Sequence, residues 1–290
     1  MTDHTLTLPD GRALELYTGG QDGGIPLVFH HGTPGSRLAP AGLEQAAKNR
    51  GLALVIASRA GYGGSHRKAG RSVVDVVDDT RAVLEFIGAE EFFVAGHSGG
   101  GPHALACAAR LPGVRASLVI AGVAPYGVSG LDFLDGMGEE NLIEFGTVLD
   151  GEPVARPYLE EQRAGLVTAT AAGVIEALAS VLPDVDRAVM TDAYGEELAA
   201  GMAEGLRLGV DGWLDDDIAF TRDWGFSLDE IAGPVTIWQG DLDLMVPFAH
   251  GRHLASAVPG ADVNLLTGEG HLSIVVGANE RMLDRLVALG

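Results

Sequence analysis

Six short apolar runs constrain this chain more than any other feature: PLVFH at 26–30, LALVIA at 52–57, FFVAG at 92–96, SLVIAG at 117–122, PVTIWQ at 234–239 and DVNLLT at 262–267. Each is continuous rather than alternating, rich in Val, Ile and Leu, and bounded by Gly or Pro, the pattern of a strand buried on both faces. Such strands pair in parallel and need crossover connections. The connections are present: residues 37–50, 72–87, 101–110, 248–258 and 272–288 set apolar groups at helical spacing opposite polar ones. A hairpin-like pair, Leu6–Leu8 and Ala13–Tyr17 across Pro9-Asp10-Gly11, precedes them. The order strand, helix, strand, helix predicts an α/β fold with a mostly parallel central sheet and helices on both faces.

The strand signal stops near residue 125 and returns near 230. Residues 139–149, 158–181, 193–208 and 213–222 between these points read as helices, so the chain divides into a sheet-bearing part, 1–125 and 230–290, and an inserted helical lid, 126–229. Charge follows the same division. The 290 residues carry a net charge of −21, and residues 126–230 alone hold 23 acidic groups against Arg156, Arg163, Arg187, Arg207 and Arg222. This predicts a solvated acidic face on the lid; carboxylates turned towards a pocket would instead disfavour anionic substrates.

The same balance excludes binding to a nucleic-acid backbone, for which no basic patch is present. No run approaches the roughly 18 apolar residues of a membrane span, and the N-terminal segment lacks a signal-peptide pattern, so the expectation is a cytoplasmic protein with no membrane partner. Its partner is then a small-molecule substrate, and the oligomeric state is open. The single cysteine, Cys107, offers neither a disulfide nor a structural zinc framework and reads as a small buried apolar group. His250 and His253 stand at i, i+3 on a predicted helix without a third ligand, so no metal site and no cofactor is expected.

The chemistry centres on Gly96-His97-Ser98-Gly99-Gly100, a G-x-S-x-G sequence lying directly after one strand and directly before a helical run. A serine on so sharp a turn is held in a strained conformation at the sheet's carboxyl edge, and Gly96 and Gly100 let the flanking chain pass. A serine hydroxyl needs a base, and the base needs an acid to fix its tautomer. His271, in Gly268-Glu269-Gly270-His271 after the last predicted strand, is the candidate base. Asp241 and Asp243, after PVTIWQ, are both candidates for the acid. The glycine-rich turn His31-Gly32-Thr33-Pro34-Gly35-Ser36 exposes backbone N–H groups, so those of Thr33 and Gly99 are the expected donors of an oxyanion hole.

With these residues in place the chain resembles an α/β-hydrolase-fold enzyme of the lid-bearing type over nearly its whole length. HGTPGS resembles the family's oxyanion segment, SRAGYGGS at 58–65 its R-x-G-Y-G-x-S loop, GHSGG its nucleophile elbow, and GDLDLMVP and GEGH its acid and base loops. The family pattern G-x-x-D-x-x-V-P selects Asp243 over Asp241. The resemblance implies that Ser98 attacks, His271 takes its proton, Asp243 orients His271, and water hydrolyses an acyl-enzyme. It favours hydrolysis of a small carboxylic ester. A proline-iminopeptidase-like aminopeptidase, a carbon–carbon hydrolase, a perhydrolase and a hydrolase-like small-ligand receptor are the other readings. The family's epoxide hydrolases and haloalkane dehalogenases carry an aspartate where this chain has Ser98. The base should titrate in the ordinary imidazole range, about 6 to 7.

Overall fold

In the computed structural model, which describes residues 2–290, each of the six apolar runs forms a strand of one eight-stranded sheet. The strands are β1 (Thr2–Thr7), β2 (Ala13–Gly20), β3 (Ile25–His30), β4 (Leu52–Ala57), β5 (Phe92–His97), β6 (Val114–Ile120), β7 (Val235–Gly240) and β8 (Asp262–Leu266). Their spatial order is β1-β2-β4-β3-β5-β6-β7-β8. The N-terminal hairpin makes β1/β2 and β2/β4 antiparallel, and every later pairing is parallel.

The strand period of two divides the core. Along β5, Phe92 and Val94 face one apolar cluster while Phe93 and Ala95 face the other. Helices α1 (Ala41–Asn49), α2 (Val76–Ile87) and α3 (Gly100–Arg110) follow β3, β4 and β5 as crossovers. α2 and α3 cover the first face; α1 covers the second. Covering both faces is what makes the runs continuous in sequence.

Between β6 and β7 the chain forms six α-helices: α4 (Glu139–Leu149), α5 (Glu152–Leu166), α6 (Ala171–Ala177), α7 (Asp184–Val189), α8 (Asp192–Gly205) and α9 (Asp211–Phe220). The sheet part closes with α10 (Phe248–Ala257) on the first face and α11 (Ser273–Leu289) on the second. Three local readings change. The helix expected from residue 37 begins at Ala41, because Pro40 disfavours helical backbone at the residue before it. The stretch 158–181 is two helices, since Thr170 caps a new start by accepting a hydrogen bond from Gly173 N at 3.3 Å. The short α7 went unforeseen.

The helical segment has its own apolar cluster, including Leu159, Val174, Leu206 and Leu214, and that cluster takes in Tyr62 and Leu272 from loops at the sheet's edge. Among the described residues no helix is long and apolar enough to cross a membrane. Because Phe93 is fully enclosed between β5 and its neighbours, Phe93→Ala should cost about 3–5 kcal/mol, read as a lower urea midpoint with an unchanged m-value.

Candidate active site

Ser98 leaves β5 with φ 56°, in the left-handed region that a non-glycine residue rarely occupies. Its N–H donates to Ile120 O at 2.8 Å, holding the turn against β6. The two flanking glycines are required by close crossing. A Cβ on Gly96 would run into the Gly100 carbonyl, and one on Gly100 into the His30 carbonyl at the end of β3. The turn therefore keeps a strained serine, a state costing about 1–3 kcal/mol, only because its neighbours have no side chains.

His271 lies in the loop after β8 and is buried. Its Nδ1–H donates to Asp243 Oδ2 at 2.8 Å, which leaves Nε2 as the ring's basic nitrogen. The Asp243 carboxylate is itself fixed: Oδ1 accepts from the N–H groups of Met245 (2.9 Å) and Val246 (2.8 Å), and Oδ2 accepts from Gln239 Nε2 (2.9 Å). Asp241 instead accepts from Gly268 N at 2.7 Å, tying the β7 and β8 loops together. Of the two candidate acids, Asp243 is thus the one on the imidazole.

Ser98, His271, Thr33 and Gly99 line one cavity of about 1170 Å³. Among the described residues no hydrogen bond joins Ser98 Oγ to the His271 ring. The link between their loops is His97, whose ring centroid lies 4.7 Å from that of His271 and whose Nε2–H donates to His271 O at 3.3 Å. Burial, together with the neighbouring imidazole, pushes the His97 pKa down to about 3, so this ring is neutral. Burial also disfavours the His271 cation, but the charge of Asp243, its hydrogen bond and the charge of Asp186 outweigh it, and the His271 pKa lies above 6.5. The expected range of about 6 to 7 therefore shifts upward.

Thr33 and Gly99 meet across the mouth of the turn, where a Cβ on Gly99 would collide with the Thr33 side chain. Among the described residues neither backbone N–H is engaged by another group. The Thr33 hydroxyl donates to Asp216 Oδ2 at 2.8 Å.

Asp216, on α9, is 0% exposed and gathers the neighbouring loops. Arg59 Nη2 (2.6 Å) and Tyr62 OH (2.8 Å) donate to its Oδ2; Arg71 Nη2 (2.7 Å) and His103 Nε2 (3.1 Å) meet its Oδ1. Arg59 also donates to the His31 and Gly32 carbonyls, so the chain leading to Thr33 is held at several points. Burial opposes the Asp216 charge, yet the two guanidiniums keep its pKa well below the carboxylate range. Asp186, on α7 and 0% exposed, plays the same part for the His271 loop. Its carboxylate accepts from the backbone N–H groups of His271 (2.9 Å), Leu272 (3.0 Å) and Ser273 (2.8 Å), in space that a side chain on Gly270 would fill.

Most carboxylates of the acidic segment are exposed as expected, Glu139, Asp150, Glu160 and Glu176 among them, but four are buried: Asp186 and three consecutive residues of α9. Asp215, Asp216 and Asp217 are all buried, Asp215 by pairing with Arg67 at 2.7 Å. The cationic partners of Asp215 and Asp216 lie in the 59–71 loop, outside the acidic segment, so the charge balance of the segment alone does not show the pairing. Trp213 lines the cavity from the same helix, whereas Trp224 packs into the core of the first face. His250 is structural: its Nδ1 accepts from Ala124 N (3.1 Å) and its Nε2 donates to Phe133 O (2.9 Å). Cys107 is buried beneath β3, near His30.

The sequence profile of the family described as alpha/beta hydrolase fold matches residues 25–142. No curated protein matches. Among solved structures, the chain is similar to an alpha/beta hydrolase fold protein from Nakamurella multipartita (22% identity, 100% of each chain covered, TM-score 0.67). It is also similar to a bromoperoxidase from Bacillus anthracis (21%, 99% of each chain, 0.68) and to the esterase RhEst1 from Rhodococcus sp. ECU1013 (18%, 100% of each chain, 0.69). At these identities the likeness establishes the fold.

Removing the shared anion tests the network. Asp216→Ala leaves Arg59 and Arg71 buried without a counter-charge, so it should lower unfolding free energy by about 3–5 kcal/mol, measured by urea denaturation.

Proposed function

The chain is an α/β-hydrolase-fold protein, and from that premise we propose that it is a serine hydrolase cleaving small carboxylic esters without a cofactor. The observation that carries this reading is the His271 Nδ1–Asp243 bond beside a left-handed Ser98 on one shared cavity. Ser98 Oγ attacks the ester carbonyl carbon as its proton passes to His271 Nε2. The developing oxyanion takes hydrogen bonds from the N–H groups of Thr33 and Gly99, and collapse of the intermediate expels the alcohol with the proton from His271. The same ring then takes a proton from water, whose oxygen attacks the acyl-serine, and Ser98 is regenerated as the carboxylic acid leaves. Asp243 keeps Nε2 unprotonated at the start of each half and stabilises the imidazolium in the middle.

In this reading α4–α9 form a lid over the sheet's carboxyl edge. Asp186 and Asp216 make that lid part of the machinery, since one holds the base loop and the other the oxyanion loop.

A fluorophosphonate should label Ser98, and Ser98→Ala should abolish labelling and lower p-nitrophenyl acetate turnover by at least about 10³-fold. Turnover surviving in the variant would refute the assignment. Because His271 must be neutral to accept a proton and its pKa is raised, kcat/KM should fall with decreasing pH through a midpoint above 6.5. Asp186→Asn removes one of the charges that raise it, so the midpoint should move down in that variant. A pH-rate profile of both proteins checks this.

A further inference from the structure

The cavity beside Ser98 has a one-signed wall. Glu144 on α4 and Asp217 on α9 bring their carboxyl groups within hydrogen-bonding reach of each other there, and the exposed Glu161 and Glu197 line it too. Among the described residues no Lys or Arg side chain lines the cavity. Trp213 Nε1 donates to Glu144 Oε1 at 2.8 Å. Asp217 is 1% exposed, and among the described residues its Oδ2 has no hydrogen-bond partner. The contrast with its neighbours on the helix is sharp: Asp215 has Arg67, and Asp216 has Arg59 and Arg71.

Burial pushes both carboxyl groups of the pair up, Asp217 further because Glu144 repels its charge. Both nevertheless face a cavity whose described lining supplies further carboxylates and no cation. A charge so placed is costly unless a counter-ion arrives, and the cavity is the route by which one can. The register of α9 fixes where. Phe220 packs against the elbow at Gly99, and Asp217 lies three residues earlier on the same helix face, about 5 Å along the axis. A cation on this pair belongs to a ligand whose reacting carbonyl at Ser98 is only a few bonds away.

We propose that Glu144 and Asp217 form a cation subsite that selects esters bearing a protonated amine close to the scissile carbonyl. The proposal rests on the reading of Ser98 as nucleophile, and names the substrate class for it. Anionic acyl groups are rejected by the same wall.

Three methyl esters of similar length and different charge test it at a pH of about 7.5, below the ordinary ammonium range. They are β-alanine methyl ester, methyl butyrate and monomethyl succinate. The wild-type kcat/KM should be at least about tenfold higher for the ammonium ester than for methyl butyrate, and lower again for the succinate, as expected for one charge near a partly solvated carboxylate. The double substitution Glu144→Gln and Asp217→Asn should compress the ammonium preference to within about twofold. An ammonium ester no better than methyl butyrate, or a preference that survives the double substitution, overturns the subsite.

A second measurement needs neither a variant nor turnover. Butylammonium should raise the wild-type Tm by more than butanol or butyrate at equal concentration; equal shifts overturn the proposal. Hydrolysis that persists in Ser98→Ala, or an absence of hydrolysis accompanied by a butylammonium-specific Tm shift, would defeat the serine-hydrolase reading while leaving the cation subsite standing.

Discussion

The Asp216 carboxylate is the interaction on which the arrangement of this molecule turns. It has no contact with water, and its charge is balanced by two guanidiniums from the chain that leaves β4. Removing three charges from water is expensive, and the cost is recovered only when all partners are present together. α9 and the loop that carries Thr33 are therefore locked to one another: neither has a satisfied structure alone. Asp186 repeats the device at His271, with backbone N–H groups in place of guanidiniums. The helical segment supplies the anions, and the sheet's edge supplies the donors.

That division explains what was legible in the sequence. The sheet could be read because strand burial on both faces writes itself into contiguous residues, as in FFVAG and LALVIA. Ser98, His271 and the glycines around Ser98 were legible for a related reason, since each sits in a short motif after its own strand. Asp243 is one of two candidates by position and is favoured over Asp241 by the family pattern; the physical reason for the difference appears in space, where four donors converge on one carboxylate and a single loop N–H meets the other.

Asp186 and Asp216 were not legible, because their partners lie 85 and 157 residues away for the His271 N–H and the Arg59 guanidinium. α9 also hides its role. Every residue from Gly212 to Phe220 is buried, so there is no solvent face against which three consecutive aspartates would look out of place. A helix enclosed on all sides has no amphipathic stripe, and acidic residues in it are read by default as wet. His97 occupies the variable position of the elbow, and nothing in the motif tells that its ring holds the backbone of the residue that it faces.

The bare backbone at Gly270 has a consequence for how such a chain can change. Asp186 occupies the volume that any side chain there would need, so the glycine and the aspartate, one from each part of the molecule, are a matched pair. A chimera that grafts a different set of helices between β6 and β7 would bring in new pocket walls but would break the match unless it also carried an acceptor at that spot. Modular exchange, the easiest way to imagine a new specificity arising on this scaffold, is thereby discouraged. Gradual substitution along the inner surfaces of α4 and α9 is the route left open.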